Sequence, residues 1–255
     1  MKINMNKLSI IVPVYNEEST LLELLNKLKK LKKICDLEII IVNDGSNDKS
    51  KNIINSNSEL YDKFIHLNKN YGKGKAVIEG LKICSYEYVL IQDADLEYDP
   101  EDIKILLEEN KKYNYDLIMG SRFIGSKRTV LNFWHMVGNK FITLLFNLLN
   151  NTTFSDIYCC YCMFKKNSIN IHNLKCNGWG QQAEILTYVV NKNSKIFEIG
   201  INYHGRTYKE GKKISQAMRI MGFMKNDYHI DEDLFEIFVN SGVYKKYADE
   251  HVAPS

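Results

Sequence analysis

No run of eighteen or more apolar residues occurs anywhere in the 255-residue chain, so no segment reads as clearly spanning a bilayer. The opening stretch, MKINMNKLSIIVPVYNEE, lacks the apolar core and cleavage site of a secretory signal, because its short apolar run is interrupted by Pro13. A cytoplasmic location is therefore expected. Charge of one sign is also missing. Thirty-four Lys and Arg stand against 31 Asp and Glu, and the net charge of +3 gives no ground for a nucleic-acid partner, though local basic patches stay open. The two C-x-x-C pairs of a zinc site are absent: Cys159, Cys160 and Cys162 in IYCCYCMF have no second pair to join them and no histidine at ligand spacing. The six cysteines fit a reducing compartment as free thiols. There is no internal repeat and no long linker. One domain is expected over residues 1–210, followed by a basic, amphipathic segment and a C-terminal helical tail over 211–255.

What is present is an alternation. LSIIVPV (8–14), LEIIIVNDGS (37–46), KFIHLN (63–68), YVLIQD (88–93) and DLIMGS (116–121) are short, β-branched or apolar runs with the pattern of buried strands. Between them lie helical patterns at 19–33, 47–56 and 72–84, with Ser19 or Thr20 placed to cap the first and Pro100 placed at the start of a further helix. Such alternation predicts a mostly parallel sheet with helices on both faces, whose ligands bind at the carboxyl ends of the strands. Every strand ends in something polar: PVYNEE, NDGS, NKNYGKGKA, DADLE and GSRF. These ends are expected to share one cleft.

The densest of them is VLIQDADLEYDP (89–100), in which Asp93, Asp95, Glu97 and Asp99 crowd the end of a strand, followed at once by Glu101 and Asp102. Like charges at close range need a cation among them or full solvation. For Asp99, Glu101 and Asp102 a solvated, helix-capping role suffices. Asp93 and Asp95, two apart in an extended turn, suit a hard divalent cation such as Mg²⁺ or Mn²⁺.

Taken in order and spacing, IIVPVYNEE, EIIIVNDGS, YGKGKA, DADLE and GSRF resemble the family 2 glycosyltransferases of GT-A (Rossmann-like) fold, and within them the dolichyl-phosphate mannose synthase-like, polyprenyl-phosphate branch. The later GRTYKEGKKI (205–214) resembles that branch too, and the likeness covers roughly residues 8–220. The resemblance implies an inverting transferase that takes a sugar from a nucleoside diphosphate sugar to a polyprenyl phosphate or related lipid acceptor. It implies that Pro13, Tyr15, Glu17, Asn43, Asp44, Lys73, Asp93 and Ala94 meet the donor, and that Asp93, Asp95 and Glu97 hold the metal. Asp95, Arg122, Arg206 and Lys212 would serve catalysis, the basic groups through phosphate recognition. Two positions depart from the pattern: Asn43 replaces the usual first aspartate of DDGS, and Glu97 stands where the branch often has Gln. The glycines of GKGKA are expected to let the chain pass close beneath the donor, with Lys73 or Lys75 near the nucleotide.

The acceptor decides the chemistry. A lipid phosphate is already anionic and needs no base. A hydroxyl acceptor needs a carboxylate, for which Glu184 in NGWGQQAEILTYVV is the candidate. A scaffold that only binds nucleotide sugars is a third reading, disfavoured because every metal- and phosphate-binding group is present. VLNFWHMVGNKFITLLFNLLN (130–150) is a broadly apolar helix with one thin polar stripe, suited either to the sheet or to a membrane interface. GKKISQAMRIMGFMK (211–225) combines basic and apolar residues in a way that fits an anionic bilayer at the cytoplasmic face, or else core or homodimer packing.

Overall fold

The computed structural model describes residues 7–124, 133–178 and 180–205. The chain divides into two compact units, Met1–His204 and Gly205–Ser255, and every described element belongs to the first. Arg206, Lys212, the 211–225 segment and the helical tail lie outside the described residues.

Seven strands form one sheet: β1 (Leu8–Val14), β2 (Leu37–Asn43), β3 (Lys63–His66), β4 (Tyr88–Ile91), β5 (Leu117–Ser121), β6 (Cys162–Lys165) and β7 (Ile196–Gly200), in the order β3-β2-β1-β4-β6-β5-β7. The five strands read from sequence are all there, and their pairings within the β3-β2-β1-β4 half are parallel. β6 inserts between β4 and β5 and runs antiparallel to both, while β7 extends the far edge parallel to β5. β1 and β2 are buried at nearly every position, so both faces of the sheet's centre are covered. Pro13 lies beyond Ile11, where pairing with β4 ends, so a residue without an N–H is tolerated in a central strand.

The helices are α1 (Leu21–Lys32), α2 (Ser50–Ser56), α3 (Lys73–Ile83), α4 (Ile103–Tyr113), α5 (Phe133–Asn150) and α6 (Gln181–Val189). α1 buries Leu21, Leu24, Leu25, Leu28 and Leu31, the 3.6-residue stripe expected of it. α3 packs on β1 and β2, and so closely at Gly80 that a Cβ there would lie 2.6 Å from Ile11. The helix expected from Pro100 starts as a short 3₁₀ turn, Pro100–Asp102, capped by the Asp99 carboxylate, which accepts from the Glu101 N–H, before α4 begins. The cap expected of Thr20 is not made. Its hydroxyl donates instead to the Ala94 carbonyl, 2.7 Å away, which ties the start of α1 to the acidic turn after β4.

Candidate active site

β1, β2 and β4 end side by side, and the loops that leave them interlock. After β1, Asn16 takes a left-handed conformation (φ 56°), an arrangement Asn tolerates better than most side chains. Its N–H donates to the Ser46 hydroxyl and its side-chain oxygen accepts from the Asn47 N–H. The Glu17 N–H donates to Ser50 and the Glu18 N–H to Asp48, while Glu18 accepts from the Lys49 N–H. PVYNEE and NDGSNDKS are thus one braced surface, with Tyr15 and Glu17 half-buried within it.

Asn43 and Asp44 leave β2 into this surface, and both are buried. Asn43 accepts from the Ser46 N–H through Oδ1, which leaves its Nδ2 as a buried donor without a protein partner. An unsatisfied buried amide is costly, and a ligand carbonyl is the group that would complete it. Asp44 accepts from the N–H groups of Tyr71 and Gly72, each at 2.8 Å, and so fastens the YGKGKA loop beside β2. Gly72 has φ 101°, a conformation open to glycine and to few other residues. The glycines of this loop lie close against the chain itself: a Cβ on Gly72 would lie 2.5 Å from the Asn177 carbonyl, and one on Gly74 2.2 Å from that of Cys176. The two lysines separate. Lys75 pairs with Glu79 along the surface of α3, whereas Lys73 reaches Asp93 at 2.6 Å. Burial works against the Lys73 ammonium, but the Asp93 carboxylate more than reverses it, so the group sits above the ordinary lysine range and stays charged.

The acidic turn is built from buried anchors. Gln92 is fully buried and accepts from the Tyr161 hydroxyl at 2.6 Å. Ala94 is buried, Leu96 turns left-handed (φ 60°), and Asp95 accepts from the Glu97 N–H at 3.2 Å. Glu97 accepts from the Tyr203 hydroxyl at 2.6 Å, and its carbonyl from the His204 N–H. Burial and this carboxylate push the Tyr203 phenol up, so it remains a protonated donor. Among the described residues no three His, Cys, Asp or Glu side chains converge on a ready-made metal cage. The donor set nonetheless fits Mg²⁺ or Mn²⁺ bound in the way these ions favour with nucleotides, through one or two carboxylates plus phosphate oxygens.

Arg122 leaves β5 and lies almost fully covered, gripping the wholly buried Asp156 through Nε (2.7 Å) and Nη2 (2.9 Å). Its guanidinium also stacks 5.3 Å from the Tyr203 ring. Burial opposes its charge, and Tyr98 and Asp156 restore it, leaving Arg122 above the ordinary arginine value. Asp156 and Tyr203 are site-building residues that no motif signalled, because each acts through a partner distant in sequence. Asp102, expected to be solvated, is also buried, and it receives the N–H and side-chain amide of Asn202. Glu184 is the candidate base for a hydroxyl acceptor. Both of its oxygens accept backbone N–H groups, from Lys175 (2.9 Å) and Cys176 (3.0 Å), so it braces the loop on which Gly72 and Gly74 rest. None of the six cysteines is in a disulfide. Cys159, Cys160 and Cys162 are buried, and burial drives their thiols up, Cys162 to about 12.

A mostly parallel α/β sheet carrying an acidic turn at the carboxyl end of an inner strand defines the GT-A class of fold, and solved structures agree. The Mycobacterium tuberculosis glucosyl-3-phosphoglycerate synthase crystallised with UDP superposes with a TM-score of 0.62 at 14% identity, over 83% of this chain and 75% of that one. Staphylococcus aureus TarS (1–349) does so at 0.54 and 22%, over 75% and 57%. Residues 9–171 match the model of Glycosyl transferase family 2, and the chain belongs to that family. Among its relatives, the dolichol-phosphate mannosyltransferase of Pyrococcus furiosus is 29% identical over 95% of this chain and 75% of the relative. The undecaprenyl-phosphate 4-deoxy-4-formamido-L-arabinose transferase of Proteus mirabilis is 28% identical over 81% of this chain, which spans 63% of that relative's length. An uncharacterized protein of Methanocaldococcus jannaschii is 26% identical over 82% of this chain and 95% of its own.

Proposed function

We propose that the protein transfers a glycosyl group, with inversion, from a nucleoside diphosphate sugar to a polyprenyl phosphate presented at a membrane surface. The observation that carries the donor half is the Asp93–Asp95 turn with Lys73 paired to Asp93, together with the unpartnered Asn43 amide at the end of β2. Asn43, with Pro13, Tyr15, Glu17 and Asp44 around it, would face the base and ribose; Lys73, Asp93 and Ala94 would line the diphosphate. Mg²⁺ or Mn²⁺ held by Asp93, Asp95 and Glu97 would stabilise the leaving diphosphate when bound. Structures of the same fold crystallised with UDP and Mn²⁺ or Mg²⁺ support this assignment.

Two observations support the acceptor half. The named relatives act on dolichol phosphate and undecaprenyl phosphate. An anionic acceptor also needs no base, in keeping with a Glu184 engaged elsewhere. Arg122, held in place by Asp156, would present its remaining N–H groups to the acceptor phosphate, assisted by Arg206 and Lys212. α5 supports the membrane. Its polar stripe turns inward, with Thr143 buried and Asn147 bonded to Thr152 and Phe154, while Phe141, Leu144, Leu145, Leu148 and Leu149 are exposed by 43–86%. Such a row of exposed apolar side chains is poorly suited to water, and a lipid surface would cover it. No helix among the described residues is long and apolar enough to cross a bilayer.

The test is nucleotide release from a panel of UDP- and GDP-sugars with Mn²⁺ or Mg²⁺, with and without a short-chain polyprenyl phosphate. Release from one donor that rises sharply with the lipid phosphate is expected. Metal-dependent release indifferent to the lipid would move the acceptor to a hydroxyl, and no release from any donor would defeat the transferase reading.

A further inference from the structure

Lys73 is a lysine where local structure does not favour one. It opens α3, and a positive charge in the first turn of a helix is opposed by the helix dipole. Its backbone has little room to relax. Asp44 holds the two preceding N–H groups, the carbonyls of Cys176 and Asn177 lie against Gly72 and Gly74, and the Lys75 N–H donates to Asn177. Only the side chain is left to choose a partner. It pairs with Asp93 at 2.6 Å, with the Cys160 sulfur 3.7 Å from the ammonium and Ala94 buried nearby in the same turn as Asp93. Both members of the pair keep 22% of their side-chain surface exposed, so ions and phosphates can reach them.

We propose that Lys73 is a tethered cation that holds Asp93 in the nucleotide-free protein and thereby makes divalent-cation binding depend on the nucleotide diphosphate. This rests on the reading above that Asp93 and Asp95 meet a divalent ion. An ammonium and a divalent ion on the two oxygens of one carboxylate repel each other strongly at such distances. The ion therefore works against Lys73, and moving the ammonium away breaks a 2.6 Å ion pair. A diphosphate receives it: lysine is a compact charge on a flexible stem and can pivot to phosphate oxygens. Nucleotide then releases Asp93 as it supplies phosphate ligands, and by reciprocity the ion favours nucleotide. An empty site is thereby kept from collecting stray metal.

The experiment measures Mn²⁺ alone binding to wild type, Lys73→Met and Lys73→Arg, by loss of the free-ion paramagnetic resonance signal, and repeats it with UDP and with GDP. Without nucleotide, Lys73→Met is expected to bind Mn²⁺ about tenfold more tightly than wild type, within the usual range of coupling between sites. Lys73→Arg, which keeps the charge, should stay close to wild type. Thermal unfolding supplies a second readout: Lys73→Met should melt lower without metal and gain more from Mn²⁺ than wild type does. Wild type that binds Mn²⁺ with nucleotide, beside a Lys73→Met variant that binds it no more tightly without, overturns this inference and leaves the metal reading intact. Failure of every variant to bind Mn²⁺, even with both nucleotides, overturns the two together.

Discussion

Asp156 has no exposed surface, and two parallel hydrogen bonds from Arg122 are what allow a carboxylate to be there. Removing one member of such a pair strands the other charge in a medium that solvates it poorly. Asp156→Ala is therefore expected to cost about 3–5 kcal/mol, read as a drop in the urea midpoint; a loss under 1 kcal/mol would show that Arg122 finds solvent instead. The same pair shows what a motif conveys and what it omits. GSRF signalled that Arg122 matters, but the residue that aims it lies 34 positions on, in a stretch with no motif. Lys73 and Lys75 are alike as letters in GKGK, and only the fold separates the one at Asp93 from the one on the helix surface.

Strands and helices were legible wherever burial imposes a period. β1 to β5, α1 and α3 fall where the apolar spacing puts them. β6 and β7 were harder to place because nothing local distinguishes an antiparallel insert from a parallel neighbour; pairing partners are set across the sheet. At the opposite ends of the strands from the acidic turn, one network joins β1, β2, β3 and the turn before β4. Glu38 is buried, accepts from Ser9 at 2.5 Å and from the Ser85 N–H at 2.8 Å, and pairs with Lys63 at 2.7 Å. Burial pushes this carboxyl up, but Lys63 and the two serines outweigh it and hold it at about 2. A depressed folded-state value means that the stabilisation is full above the unfolded value near 4.5 and is lost as pH falls toward 2. Between pH 5 and 3 the native protein should lose stability on the order of 2 kcal/mol through this group, while Glu38→Gln, less stable at pH 7, should lose less over the same window. Urea titrations at pH 7, 5 and 3 decide it; parallel losses in both proteins would mean that other carboxylates govern the acid limb.

At the scale of the molecule the unusual feature is α5, which sets Thr143 and Asn147 toward the protein beside Phe146 and leaves Phe141, Leu144, Leu145, Leu148 and Leu149 exposed. Exposed leucines contribute nothing to the fold and much to a lipid interface. Leu148→Asp with Leu149→Asp should leave the melting temperature within about 2 °C of wild type, because surface changes are usually small, yet weaken binding to phospholipid vesicles at least tenfold. Co-sedimentation with vesicles containing anionic lipid measures it. Unchanged sedimentation would mean that another surface carries the contact or that the protein does not meet lipid.

The sequence alone determined the fold class, the parallel half of the sheet, and the polar strand ends from which the candidate site is made. Those features follow from local periodicity and from residue types set a few positions apart, and both survive in a one-dimensional string. Only the tertiary structure decided which charges meet. It gave Lys73 to Asp93, Asp156 to Arg122 and Tyr203 to Glu97, and it made Glu184 a brace. It also decided which face of α5 is left uncovered. The physical reason is the range of the interactions. Hydrogen bonds and ion pairs act over about 3 Å, so partners tens of residues apart in the chain are chosen by packing, and nothing in their neighbours' identities announces the choice.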